Sequence, residues 1–554
     1  MHIHAGPHRW SRLAAAWILS LGAAGAAGAV TCSEPIDVNA TVLSNGFGTD
    51  LSKTRNSTSS ITSSNASGLT LVLSHAAVGA KERRGSPVVT KQAIFTTAKF
   101  SVDAIDRTTG CQYWSYSPFD VAANPLLTGF RSLYFLNEGG GRQALLFAGD
   151  LNGVIHAVDA SSGKQVWKRF VGTDTANHII TGTPIYAGGK LFIPVSTLEA
   201  IATVFRDGVC CRSHGMAQAV SPYTGEQVWT FNVTADAQVQ PGNPSRLGPN
   251  GGSVWSSPAA DTERQLLFVG TGQNLTRPGT GTSDSIVALE MGTGAVRWVF
   301  QATADDTWNV SCQLPSLWGQ GSKCDRPEGA DLDFGASPML VTLPNGRPVV
   351  IAGAKNGVVY ALDRESGTLV WSRRLGAGGN LGGIHWGMAT DGKKIYVGVS
   401  DLNSSKLTVL DRPGAPAKIV LAENGKPGVY ALDMASGKVD WEQHPVHQYR
   451  GASVPSIFSA ALSVTNDVLF AGSLDGVVHA FRTSDGSPLW ARDTRNVVPI
   501  SDPGGNAVQG GTIDGAGPMV AGNDLVVNSG YSAFGGASQF QAGFGNALFV
   551  FRVK

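Results

Sequence analysis

The chain has 554 residues, a formal net charge of +1, charged residues at only 15% and 70 glycines. Near-neutral charge removes the usual argument for a nucleic-acid or anionic-membrane partner, and the composition excludes a disordered chain. Length alone predicts roughly three or four domains, but a continuous internal repeat overrides that prior.

The N-terminal stretch MHIHAGPHRWSRLAAAWILSLGAAGAAGAV places Arg9 and Arg12 ahead of an apolar run from Leu13 and ends in Ala27-Gly28-Ala29. This is the pattern of a signal peptide cleaved after Ala29. The run is too short and glycine-rich for a transmembrane helix, and no second hydrophobic span follows. The expected mature chain, 30–554, is therefore a soluble exported protein, secreted or periplasmic. The cysteines fit an oxidising destination. Cys210 and Cys211 are adjacent, Cys312 and Cys324 bracket one loop, and Cys32 and Cys111 are left without an assigned partner. No C-x-x-C-H occurs, so no covalent c-type haem is expected.

Seven times an aliphatic-Ala strand runs into a small-residue turn, a Gly, and a Trp four residues later, ending at Trp114, Trp167, Trp229, Trp298, Trp371, Trp441 and Trp490. Apolar residues alternate within each copy, as at Val359 and Ala361 before Asp363, which is strand periodicity. The Gly, as at Gly367, supplies the positive φ that a hairpin needs. Successive tryptophans lie 49 (Trp441 to Trp490) to 73 (Trp298 to Trp371) residues apart, room for four strands per copy. Such units bury their apolar faces only by stacking on copies of themselves. The pattern predicts an all-β fold, an eight-bladed β-propeller forming one domain over 30–554. Its eighth blade is split: GNALFVFRV at the C-terminus is expected to pair with an early segment such as LTLVLSHAAV, closing the ring and removing an exposed edge.

The phrase A-x-D-x-x-[ST]-G-x-x-x-W resembles the pyrroloquinoline quinone (PQQ) repeat of quinoprotein alcohol dehydrogenases. NGFGTDLSKTR at 45–55, STLEA at 196–200, GSVWSSPAAD at 252–261, DDTWNVSC at 305–312 with LDFGASP soon after, AGAKNG and GGIHWGMATDG resemble the polyvinyl alcohol dehydrogenase branch of that family. The resemblance runs from about Asn45 to the C-terminus. It implies a quinone lying across the mouth of the propeller against a metal ion. Trp255, which occupies no repeat slot, matches the aromatic floor; the structural alternative is one more packing aromatic. A Cys210–Cys211 disulfide is the implied opposite wall. Glu199 matches the carboxylate ligand of a calcium ion, whose hard-donor preference suits carboxylate and amide oxygens. The amide is Gln273 or Asn274, since GTGQN replaces the usual GTGN and alternation along a strand points only one of them at the metal. Lys355 matches the cation that hydrogen-bonds the quinone oxygens; its alternative is a solvated turn lysine. His385 and Trp386 belong to the branch pattern without an assigned role.

The base departs from the pattern. Where methanol dehydrogenase relatives read D-x-W-D, this chain reads Asp306-Thr307-Trp308-Asn309, and an Asn amide does not accept a proton at neutral pH. Asp306, ahead of its neighbour Asp305, is the expected catalytic carboxylate, with a loop-capping role as the alternative. The implied activity is PQQ- and calcium-dependent oxidation of small-molecule or polymeric alcohols, secondary ones included, with electrons passing to a separate acceptor such as a cytochrome or copper protein. A non-catalytic propeller used as a binding or assembly scaffold is the competing reading, favoured by Asn309 and Gln273.

Overall fold

The computed structural model describes residues 29–119, 129–204, 209–319, 323–412, 415, 417–497, 501–531 and 537–553. The expected signal peptide therefore lies, apart from Ala29, outside the described residues. Eight antiparallel sheets of four or five strands form the blades. Inner strands such as Leu145–Asp150 are buried along their whole length, whereas the outermost strand of the same blade, Gln165–Phe170, is largely exposed. Each blade thus presents its apolar faces to two neighbours and its last strand to solvent.

The repeat phrase works at these blade junctions. The Trp of one blade stands over the Gly of the next: a Cβ on Gly294 would fall 2.6 Å from the Trp229 ring, and one on Gly367 2.6 Å from the Trp298 ring. The indole N–H reaches the following turn, Trp229 Nε1 donating to Met291 O (3.1 Å) and Trp298 Nε1 to Arg364 O (3.1 Å). The Asp of the phrase holds that turn; Asp159 Oδ1 accepts from the backbone N–H of Ser161 and Ser162, both at 2.9 Å. Glycine is required twice over, by its positive φ (71° at Gly367) and by the ring pressed against it.

The ring closes as expected. Strand Thr70–Ala76 pairs antiparallel with Ala547–Arg552, Thr70 opposite Arg552 and Ala76 opposite Ala547. Because this outer hairpin is assembled from the two ends of the chain, it has neither turn glycine nor Trp. Leu73 takes the place of the Trp against Gly110 of the first blade, and Trp490 packs edge-on to Phe551 at 5.4 Å.

A second closure comes from the segment 45–59, which crosses the ring and touches seven blades in turn. Asn45 exchanges side-chain hydrogen bonds with Phe135 O (2.8 Å) and Phe135 N (2.9 Å), and Gly46 lies beneath Leu133 and Thr183. Leu51 O then accepts from Ala260 N (3.0 Å), Ser52 O from Leu340 N (2.8 Å), Thr54 O from Thr390 N (3.0 Å) and Arg55 O from Val464 N (3.0 Å). Ser59 bridges to Gly522. Arg55, fully buried, donates to Ala516 O (2.8 Å) and Pro518 O (3.0 Å), and burial pulls its guanidinium down to about 9.

Gly367→Ala is expected to cost roughly 1–2 kcal/mol for the left-handed backbone plus about 1–3 kcal/mol for the collision with Trp298. Gly392→Ala, at φ 82° with open space around it, carries only the backbone cost. Urea unfolding of the two variants measures the difference; equal midpoints would remove the Trp-on-Gly junction as a source of stability.

Candidate active site

On the axis, Phe47 of the segment 45–59, which forms a strap over the blades, and Trp386 line a small chamber of about 60 Å³. Beyond Trp386 opens a larger cavity of about 410 Å³, walled by Trp255, Gln273, Asp331, Asp333, Lys355 and His385 with an apolar rim. Trp255 reaches it from the loop before strand Ala259–Asp261. Its carbonyl accepts from Thr181 Oγ1 (3.1 Å) and its Nε1 donates to Asp333 Oδ2 (2.8 Å). The rings of His385 (5.5 Å) and Trp386 (5.1 Å) stand edge-on to the indole. Gly335 makes this position available, since any Cβ there would collide with the indole.

Asp331 and Asp333 come from the extended segment ahead of strand Met339–Thr342, and Lys355 from the turn between Pro348–Gly353 and Val358–Asp363. Lys355 N donates to Asp333 O (2.9 Å), while Nζ lies 3.1 Å from Asp331 Oδ1, 3.5 Å from Asp333 Oδ2 and 5.6 Å from the centre of a Trp255 ring. All three side chains are buried. Burial pushes the Asp331 carboxyl well above the usual range despite Lys355. At Asp333 burial acts the same way, but Lys355, Asp331 and the Trp255 N–H outweigh it and the carboxyl lies below its ordinary value. Burial opposes the Lys355 charge, and the two carboxylates overcome it, raising the ammonium pKa. The cavity therefore contains one firmly ionised ion pair and one carboxyl poised to exchange a proton.

The expected site residues divide. Trp255, Lys355 and Gln273 line the cavity; Gln273 Nε2 donates to Trp308 O (3.2 Å). Asn274 points the other way, buried, with Nδ2 on Asn250 O (2.7 Å) and Oδ1 accepting from Thr280 N (2.9 Å). Glu199 opens the short helix Glu199–Ala202, whose Ala200 and Ile201 face the cavity, but its own carboxylate faces a separate cavity of about 360 Å³ beside Cys210 and Arg212. There Oε2 accepts from Ser213 N (2.7 Å), Ser213 Oγ (2.7 Å) and Arg212 N (2.9 Å). Cys210 and Cys211 are bonded to each other and pack with Ala200 and Leu275, behind the helix and not on the Trp255 cavity.

Asp306 is likewise set in the wall. Its Oδ1 accepts from Asp331 N (3.1 Å) and its Oδ2 from Leu332 N (2.8 Å), so it holds the segment that carries Asp331. Asn309 caps the turn Val310–Gln313, accepting from Ser311 N (3.1 Å) and donating to Leu275 O (2.9 Å). The Cys312–Cys324 disulfide pins the same loop, and a third disulfide joins Cys32 to Cys111. Asp331 and Asp333 are the cavity carboxylates that spacing from D-x-W-N did not single out. The signal for them was DLDFGASP at 331–338, where two carboxylates two residues apart precede a Gly-Ala-Ser-Pro turn.

Comparison with known proteins shows the family and the fold. Residues 45–318 match the family model for the β-propeller domain of glucose/ethanol/alcohol dehydrogenase, and residues 355–530 match that of outer membrane protein assembly factor BamB. A polyvinylalcohol dehydrogenase of a Pseudomonas species is 33% identical over 85% of this chain and 71% of its own length. Its counterpart from Sphingopyxis is 34% identical over 85% of this chain and 70% of its own length. Among solved structures, a quinohemoprotein alcohol dehydrogenase of Pseudomonas putida superposes with a TM-score of 0.67 at 19% identity, covering 92% of this chain and 80% of that one, which shows the shared fold. The chain belongs to the PQQ-dependent alcohol dehydrogenase family of β-propellers, in its polyvinyl alcohol dehydrogenase branch, and is an alcohol dehydrogenase-like oxidoreductase.

Proposed function

We propose that the Trp255 cavity is the quinone site of an exported dehydrogenase that oxidises alcohols, secondary or polymeric ones included, and hands electrons to a separate acceptor such as a cytochrome or copper protein. The observation that carries this reading is the Trp255–Asp333–Lys355–Asp331 cluster. A flat, half-buried indole lies beside a buried cation, with a partnerless buried oxygen, Asp333 Oδ1, among them. These features fit a planar, polyanionic quinone. Trp255 would hold its face, Lys355 would hydrogen-bond its carbonyl oxygens, and Gln273 would offer an amide. When bound, PQQ supplies the two-electron acceptor that receives the substrate's hydride.

The remaining work belongs to the chain. Asp331 takes the hydroxyl proton, the role sequence reasoning gave to Asp306. Its raised carboxyl pKa strengthens it as a proton acceptor; burial raises the Asp306 carboxyl too, but both of its oxygens are committed to backbone N–H groups. Lys355 stabilises negative charge as it develops on the acceptor. Asp333, ionised and hydrogen-bonded to Trp255, fixes Lys355 and the indole relative to each other.

The calcium ligands expected from the sequence do not fit as a set. Glu199 faces another cavity, Asn274 is saturated, and Gln273 alone reaches the site. No step is therefore assigned to calcium. The scaffold alternative loses the support of Asn309, whose amide is a turn cap in any case.

Asp331→Asn is expected to leave PQQ bound while dye-linked alcohol oxidation falls by about 10²–10⁴-fold. The wild-type rate should decline as pH drops through the raised Asp331 pKa, because the base must be unprotonated, and the variant should lose that limb. Full activity in Asp331→Asn returns the base to another group. Glu199→Ala should retain PQQ binding yet lose about 1–3 kcal/mol of stability, since the Ser213 and Arg212 donors lose their acceptor. Loss of binding at unchanged stability would place Glu199 back in the site.

A further inference from the structure

His385 lines the cavity between Trp255 and Trp386, and its ring is tied from behind by two successive hydrogen bonds. Nδ1 lies 2.8 Å from Ser459 Oγ, and Ser459 Oγ donates to Asp514 Oδ1 at 2.7 Å. A serine hydroxyl carries one proton, so with that proton committed to Asp514 the bond to the ring must come from an Nδ1–H. The imidazole is then held in its Nδ1–H tautomer, with the lone pair on Nε2, for which the described residues provide no hydrogen-bond partner. Lys355 and Asp333 are the charged groups facing the ring; burial and Lys355 keep it neutral, pushing its pKa down to about 3. At the other end Asp514 is buried next to Gly515, which lines the axial chamber and whose N also donates to Asp514 Oδ1 (2.8 Å). Arg84 and Tyr531 face it, Arg84 being paired with Glu82 and stacked on Tyr531 at 4.2 Å. Burial raises the Asp514 carboxyl to about 6.

We infer that His385 is a second proton-accepting group of the site, held in one tautomer by Ser459 and Asp514, which together lead protons from the cavity to the propeller axis. A proton arriving at Nε2 is balanced by the Nδ1 proton passing to Ser459 Oγ and the Ser459 proton passing to Asp514. The ring ends neutral, one proton has left the cavity, and no electrons move in this step. His385 is the group in contact with the site; Ser459 and Asp514 are positioning residues that act through it. The assignment gives a use to a buried acid that the Asp331 mechanism leaves idle.

Two measurements test it. The first uses the full chain without PQQ and does not depend on the dehydrogenase reading: ¹⁵N NMR of histidine-labelled protein, with the His385 signals assigned by His385→Asn. The expected spectrum at pH 7 shows a protonated Nδ1 and an unprotonated Nε2, and Ser459→Ala should lose this tautomer preference. An Nε2–H tautomer in the wild type, or no change in Ser459→Ala, overturns the inference. The second rests on the dehydrogenase reading. Asp514→Asn keeps an acceptor for Ser459 but takes no proton, so kcat should fall by about 10²-fold, the lower end of what a positioned proton-transfer group contributes. The inflection near pH 6, below which a protonated Asp514 blocks the route, should disappear while KM is unchanged. An unaltered rate and pH profile in Asp514→Asn overturns the relay. If no alcohol is oxidised by any form, the dehydrogenase reading fails and the NMR result still decides the tautomer.

Discussion

The structure depends on keeping eight wedge-shaped blades in one ring around an axis that contains a ligand-sized hole. Lateral contact alone leaves two weak places, the seam and the centre. The seam is closed by main-chain pairing of Thr70–Ala76 with Ala547–Arg552, so opening the ring would break a strand ladder and not merely a side-chain interface. The centre is closed by the strap at 45–59, whose carbonyls accept from one blade after another. The strap turns sharply, with positive φ at Gly46, Gly48, Thr49, Lys53 and Arg55, and this conformation is over-determined by the blades it touches. With one end of the axis plugged by Phe47, the other end is free to carry a site.

That site is built from charge imbalance in a dry place. Asp331 and Asp333 face a single Lys355, and Asp284 lies nearby, fully buried with neither carboxylate oxygen partnered. Burial, then Asp306, Asp333 and Asp331, drive the Asp284 carboxyl well above the ordinary range. Burial and mutual repulsion therefore raise the affinity of this crowded wall for protons. Alcohol oxidation takes a proton from the hydroxyl oxygen and a hydride from its carbon, so the proposed reaction needs a local proton acceptor and a separate hydride acceptor, and Asp331 of this cluster is the proposed proton acceptor.

The fold was legible because its signals are local. A Trp four residues after a positive-φ Gly states both the turn and the junction, and the missing Trp in the C-terminal strand announced the split blade. Trp255 stood out as a tryptophan outside the repeat, and Lys355 and Gln273 through the family phrases AGAKNG and GTGQN; all three line the cavity. Three features were not legible. The D-x-W-N phrase pointed to Asp306, but the direction of a carboxylate depends on which backbone N–H groups surround it, and these come from Asp331 and Leu332 further along the chain. Glu199 begins a single-turn helix whose two sides face different cavities, a distinction that spacing does not encode. The partner of Cys32 lies 79 residues away in sequence and is brought near by the Thr31–Gln112 bridge beside the first blade.

The most direct test of the central claim is a titration of the purified protein with PQQ, followed by tryptophan fluorescence, in wild type, Trp255→Leu, Lys355→Met and Glu199→Ala. The account predicts saturable quenching in the wild type, retained in Glu199→Ala, and weakened by at least about tenfold in Trp255→Leu and Lys355→Met, a loss of about 1.4 kcal/mol. Unchanged affinity in the Trp255 and Lys355 variants, with binding lost in Glu199→Ala, would contradict it and move the quinone to the cavity beside the adjacent cysteines.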